Sequence, residues 1–237
     1  MPQHLDSKPP IAADEVNSLI AHYDEAARLA IPGYEVMHTM SLACLLAYLP
    51  ERADLLVVGP GTGTELVRLG EANPQWNFLG VDPSADMLRI AEHKMALHQL
   101  SNRVKLVQGY THDLPTDTLY DAATSIMVMH FIPESDKLQF LESISQRLHP
   151  SAPFVLVTLA VEKESQQLRQ LMPVLDAYWS EVGLPAQRKE EVVTGFNQTV
   201  HPLPEASILN LLEQAGFQKI IRFYTGLWVG GWLAFKS

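Results

Sequence analysis

The chain of 237 residues has a single cysteine, Cys44, so no internal disulfide can form, and a reducing compartment, the cytoplasm, is the expected home. Cys44 lies in the apolar helical run Leu42-Ala-Cys-Leu-Leu-Ala-Tyr48 and reads as an inert core thiol. The nine histidines include no His-x-x-x-His pair, and no Cys-x-x-Cys exists, so no metal site is expected. No apolar run reaches the roughly 18 to 20 residues of a membrane span. Met1 to Asp14 lacks a basic stretch followed by an apolar core, so it does not read as a secretory signal but as a loose tail around Pro9-Pro10. Dense Lys/Arg clusters are also missing and the net charge is −10, which counts against a nucleic acid as substrate without excluding one.

Apolar residues are plentiful instead. At 47% hydrophobic and 19% charged residues, the chain can build a sizeable core and does not read as disordered. Helical periodicity runs over Asp14–Ala30, Ile31-Pro-Gly-Tyr34 breaks it, and a second helix is expected over Glu35–Leu49. Strands and helices then alternate. Strands are expected at Leu55–Val58, Trp76–Val81, Val104–Gln108, Asp121–Met127 and Phe154–Leu159. Helices are expected at Gly63–Ala72, Ser84–Leu97 with Ser84 as cap, and Glu134–Leu148. Such alternation predicts an α/β, doubly wound, mostly parallel sheet. After Ala160 two helical segments follow with no strand between them, Glu162–Glu181 and Ala186–Val193, an insertion rather than another sheet unit. A helix over Pro204–Ala215 stopped by Gly216, then strands Lys219–Tyr224 and Trp228–Phe235 around a tight turn near Thr225-Gly226, bring the expected sheet to seven strands with an antiparallel edge. The organisation read from this is a flexible tail over 1–14 and one domain over 15–237. That domain carries N-terminal helices over 15–50 and a helical lid over 161–203.

The chemistry concentrates in Asp54-Leu-Leu-Val-Val-Gly59-Pro-Gly61-Thr-Gly63-Thr-Glu65, where a buried-type strand meets glycines at alternate positions and a helix follows. The next strand ends at Val81-Asp82-Pro83, and the two together suggest a nucleoside pocket at the carboxyl edge of a parallel sheet. A ligand-free strand-to-helix turn is one reading, although it does not need a third glycine. A dinucleotide site is another, but its fingerprint wants Gly-x-Gly-x-x-Gly, and here Gly63 comes one position early with Thr64 in the expected place.

The third reading is S-adenosylmethionine. Hydrophobics followed by Gly-x-Gly-x-Gly, with an acid ending the next strand, resemble the class I methyltransferases over roughly Leu55 to Lys236. That resemblance implies a Rossmann-like methyltransferase fold, S-adenosyl-L-methionine as cofactor and S-adenosyl-L-homocysteine as product. It implies that Gly59, Pro60, Gly61 and Gly63 form the cofactor loop and that Asp82, followed by Pro83, accepts hydrogen bonds from both ribose hydroxyls. A carboxylate suits that role because it is acceptor-only and can serve two donors. Met87, one turn into the next helix, either lies against the adenine or packs in the core. Two departures from the family pattern stand out. The acid two residues before the first glycine, which helps hold the methionine amino group in the family, is Val57. The Gly-Asp-Ala at the end of the third strand is Gly109-Tyr110-Thr111. Tyr110 could cover the base and Thr111 or His112 could supply a polar contact, whereas Asp113-Leu-Pro115 reads more simply as a turn.

Ile31-Pro-Gly-Tyr34, the helical insertion and Gln214-Ala-Gly-Phe217 also resemble the carboxy-S-adenosylmethionine synthases of tRNA wobble-uridine modification. The resemblance nominates Tyr34 as a cofactor contact; an aromatic plug between helices is the other reading. An arginine that pairs with the extra carboxylate in that group would fall at Leu211, so ordinary S-adenosylmethionine is expected here.

Methyl transfer from a sulfonium mainly needs alignment and exclusion of water. Ser125, Ile126 and Met127 are expected near the methionine moiety, and His130 could orient an acceptor, take a proton or serve only the fold. Met172, Leu175, Tyr178 and Trp179 at helical spacing, with Trp228 and Trp232, make either core or a pocket wall. The expectation is methyl transfer to a small organic acceptor by a monomer or homodimer with no membrane association. A carboxy-S-adenosylmethionine synthase-like enzyme and a non-catalytic cofactor-binding module are the alternatives.

Overall fold

The protein was analysed as a computed structural model, and the structure describes residues 24–237. The expected tail over 1–14 and the first half of the helix expected over Asp14–Ala30 lie outside the described residues. The described part of α1, Asp24–Ala30, meets α2 (Tyr34–Tyr48) at 95°. The break falls where the sequence carries Pro32-Gly33, with Gly33 in the left-handed region at φ 71°.

From there the chain lays down β1 (Ala53–Val58), α3 (Thr64–Ala72), β2 (Trp76–Asp82), α4 (Ala85–Leu97), β3 (Val104–Gln108), β4 (Ala122–Ile126), α5 (Lys137–Ser145) and β5 (Pro153–Leu159). Helices α6 (Gln166–Glu181), α7 (Ala186–Thr199) and α8 (Glu205–Gln214) follow, then β6 (Phe217–Gly226) and β7 (Val229–Lys236). The strands make one seven-stranded sheet in the order β3-β2-β1-β4-β5-β7-β6. Strands β1 to β5 pair in parallel, and β7 runs antiparallel to both β5 and β6. The seven-stranded, mostly parallel α/β fold is therefore as the sequence implies.

The sheet is covered on both sides, which is why its central strands are apolar throughout rather than alternating. Leu55 and Val57 of β1 pack into one core with α2, α3, α6 and α7. Leu56 and Val58 pack into the other with α5 and α8. Ser84 caps α4 by accepting from the Met87 N–H at 3.3 Å, and Gly216 follows α8 at φ 85°.

One sequence expectation shifts, and one alternative left open resolves to core. The hairpin turn falls at Leu227-Trp228, not at Thr225-Gly226, because Leu227 takes φ 53° and Trp228 is drawn into the core. Trp228 stacks on Phe196 at 5.0 Å and meets Trp179 edge-on at 5.8 Å. The Met172, Leu175, Tyr178 and Trp179 stripe of α6 is core: Leu175 and Trp179 are fully buried, and the Trp179 indole N–H donates to the Ala30 carbonyl at 3.0 Å. Trp232 packs in the opposite core, donating to Glu205 Oε1 at 3.3 Å. Cys44 is half-buried, and burial raises its thiol pKa, as suits an inert side chain.

Candidate active site

The site forms where β1 runs out at the carboxyl edge of the sheet. Gly59 takes φ 71°, and a Cβ there would sit 2.4 Å from Val128 Cγ2, so only glycine fits. Gly61 takes φ 53°, yet a Cβ there would meet nothing within 4 Å. The bare backbone at Gly61 therefore faces open space rather than the protein's own side chains. Gly63 serves packing instead: a Cβ would lie 3.1 Å from Met95 and 3.2 Å from Ala91 of α4.

Asp82, at the tip of β2 and nearly buried, ties this loop to the next helix. Its Oδ2 accepts from the Gly61 N–H at 3.2 Å and its Oδ1 from the Ser84 N–H at 2.9 Å. Each oxygen keeps a further lone pair for an incoming donor. A second tie comes from α1. Asp24 accepts from the Thr62 hydroxyl at 2.8 Å and from Lys94 Nζ at 2.6 Å, and Lys94 also donates to the Thr64 hydroxyl at 2.9 Å. Burial lowers the Lys94 pKa, against the pull of Asp24.

A crevice of about 130 Å³ opens between α1, α2, the glycine loop and the end of β4. Of the residues nominated by sequence, Tyr34, Gly59, Pro60, Gly61, Ile126 and Met127 line it. Met127 holds φ 59°, which turns the chain away from the sheet at this point. Tyr34 is buried, and burial, reinforced by Asp24, pushes its hydroxyl pKa up to about 12.

The other nominees lie elsewhere. Gly63 and Pro83 flank the loop and the α4 start outside the crevice lining, and Met87 is half-buried on α4. Tyr110 is exposed at the end of β3 and stacks on His112, ring centroids 5.4 Å apart. Asp113 is the expected turn residue, accepting from the Tyr110 N–H at 2.8 Å. Thr111 and Ser125 are buried with hydroxyls that find no partner, and neither lines the crevice. His130 is the residue nominated for catalysis. It lies in the interior with Nδ1 3.2 Å from the Thr158 hydroxyl, away from the crevice. Burial, with Lys137 nearby, drives its pKa down to about 3, so it stays neutral and holds structure. Leu211 packs against the core beneath α5 and α8, so an arginine at that place would not report on the crevice.

The lining residues that were not nominated include His38 and Glu65. His38, one turn after Tyr34, meets it edge-on at 4.6 Å, and burial drops its pKa to about 4. Glu65, in the first turn of α3, is buried, lines the crevice and has an Oε1 with no hydrogen-bond partner among the described residues. Burial raises its pKa to about 7 against a weaker opposite effect of Thr124. Sequence offered only an acid at a helix start, an ordinary complement to the helix dipole.

The chain is similar to known proteins. A family profile described as a methyltransferase domain matches residues 56–154. The demethylmenaquinone methyltransferase of Lactiplantibacillus plantarum is 30% identical over 180 residues, covering 73% of either chain. The carboxy-S-adenosyl-L-methionine synthase of Campylobacter hominis is 22% identical, over 83% of this chain and 82% of its own. Among solved structures, an O-methyltransferase family protein from Burkholderia thailandensis superposes with a TM-score of 0.65 at 16% identity, over 95% of this chain. The chain spans only 61% of that structure's length.

Proposed function

The chain belongs to the class I S-adenosylmethionine-dependent methyltransferases, and we propose that it moves the methyl group of ordinary S-adenosylmethionine to a small organic acceptor. The observation that carries the reading is the Gly61 backbone, open to the crevice and hydrogen-bonded at 3.2 Å to the carboxylate that ends β2. The residues suit that cofactor. The loop leaves room where a side chain would intrude, Asp82 keeps free lone pairs for a pair of ribose hydroxyls, and Tyr110 offers an exposed aromatic face beside the end of β2.

When bound, the cofactor supplies a methyl on an already activated sulfur. The protein's work is then to hold and align. Tyr34, Ile126 and Met127 wall the crevice and exclude water from the reacting end. His38 is neutral at pH 7 because burial holds its pKa near 4, so it resists taking a proton and can serve an acceptor only as a hydrogen-bond partner. The apolar wall supports a small organic acceptor, and one relative is named for such a molecule, demethylmenaquinone.

The carboxy-S-adenosylmethionine synthase reading is favoured by the relatives that carry that name at 20–24% identity. It is opposed by the crevice's charge. Among the described residues its lining holds Asp24 and Glu65 and no Lys or Arg; Arg28 and Arg68 act on Tyr34 and His38 from outside the lining and are already paired with Glu35, so an added carboxylate would meet no cation in direct contact. Isothermal titration with S-adenosylhomocysteine tests the main reading. Asp82→Ala should weaken binding by roughly 10- to 100-fold, as expected for lost charge-assisted hydrogen bonds. Unchanged affinity in the variant would contradict the assignment.

A further inference from the structure

Glu65 is the one crevice residue whose presence the fold does not explain. The residue is 7% exposed, and its Oε1 is buried with no partner among the described residues. Among the described residues no charged group bears on it, and the influences on it are burial and the Thr124 hydroxyl. Its neighbour Asp24 is the contrast, an acid already satisfied by Lys94 and Thr62. A buried carboxylate without a cation costs stability, and one that faces a ligand crevice is a place where the ligand can bring the missing charge.

Resting on the methyl-transfer reading above, we infer that Glu65 is the anionic anchor for the α-ammonium group of the cofactor's methionine tail. The position supports this. Val57 of β1 and Thr124 of β4 are in-register partners in parallel strands, so their side chains share one face of the sheet. The Glu65 carboxyl comes down onto that face beside Thr124 from the first turn of α3. The acid absent from position 57 is thus replaced in space by one delivered from the following helix, eight residues later in the chain.

S-adenosylmethionine carries two cationic centres, and their chemistry decides between them. The sulfonium charge disappears as the methyl leaves, so a carboxylate held against sulfur would stabilise the ground state more than the transition state and slow the reaction. The ammonium keeps its charge throughout, so a carboxylate there strengthens binding without that penalty. Burial that pushes the Glu65 pKa to about 7 is consistent with a group waiting for such a partner.

The test is calorimetry on the full chain and its isosteric variant Glu65→Gln, with S-adenosylmethionine, S-adenosylhomocysteine and methylthioadenosine. The homocysteine product retains the ammonium but has neutral sulfur; methylthioadenosine lacks the amino acid tail. The inference predicts roughly 10- to 100-fold weaker binding of the first two ligands by the same factor, with methylthioadenosine unchanged. Loss confined to S-adenosylmethionine would assign Glu65 to the sulfonium and overturn the inference. Equal affinity for all three in both proteins would overturn it as well, while leaving the methyl-transfer reading intact. Wild-type protein that binds none of the three would remove both readings together. Thermal melting of the variant at or above the wild-type temperature confirms that it is folded.

Discussion

Glu65 illustrates what a sequence hides at the level of a single side chain. An acid in the first turn of a helix is common and stabilising when solvated. Only the packed structure reveals that this one is enclosed against Thr124 and uncompensated. A measurable pH dependence follows in the ligand-free protein. The folded pKa of about 7 lies above the unfolded value of 4.5, so the native state binds the extra proton in between. Stability from this group is fully present below pH 4.5 and is lost as pH rises through 7. Glu65→Gln removes that loss. Its stability advantage over wild type, from denaturant titration, should be small near pH 5 and reach about 3 kcal/mol at pH 8. An advantage that stays flat from pH 5 to pH 8 would contradict the assigned environment. For His130 the sequence left a proton-handling and a structural role open; in the structure its ring contacts the Thr158 hydroxyl in the interior.

At the level of elements, the strands and the helices between them were legible because each carries its own signal. Val104–Gln108 matches the expected strand at both ends, and Ser84 caps α4 as read. Where signals came from tertiary packing, reading failed. The Leu227-Trp228 turn contains no glycine; the indole's place between Trp179 and Phe196 sets it. The aromatic stripe of α6 was ambiguous for the same reason, since a periodic apolar face looks alike whether it meets a core or a ligand. The contact between α1 and the glycine loop was likewise invisible. Asp24 and Lys94 are 70 residues apart and neither belongs to a motif. This pair closes the crevice from the N-terminal side. Asp24→Ala should destabilise the fold by about 3 kcal/mol, because it strands a buried ammonium. Adding Lys94→Met should recover most of that loss. Chemical denaturation of the single and double variants checks this, and a double variant as unstable as Asp24→Ala would show that the pair is not coupled.

At the level of the whole molecule, the chain places an open backbone turn at Gly61, the carboxylate of Asp82 that ends β2, and the acid Glu65, its Oε1 unpaired among the described residues, at one edge of a parallel sheet. The fold and the loop-plus-Asp82 half of the site could be read from the sequence. Those features depend on local pattern: alternate glycines after a strand, then an acid ending the next. The half of the crevice walled by α2 and α3 could not, because His38 and Glu65 reach it from two helices whose mutual placement no local pattern encodes. The acceptor's identity is likewise a property of the assembled cavity and not of any motif. Helices α6 and α7, expected as a lid, bury their apolar sides in the core beside α1 and β7, and residues from them do not line the crevice. The most direct measurement is a crystal structure of the protein with S-adenosylhomocysteine. The account predicts both ribose hydroxyls on Asp82, the chain of the ligand passing over Gly61, and its ammonium on Glu65. A ligand bound elsewhere, or seated with its ribose away from Asp82, would contradict it.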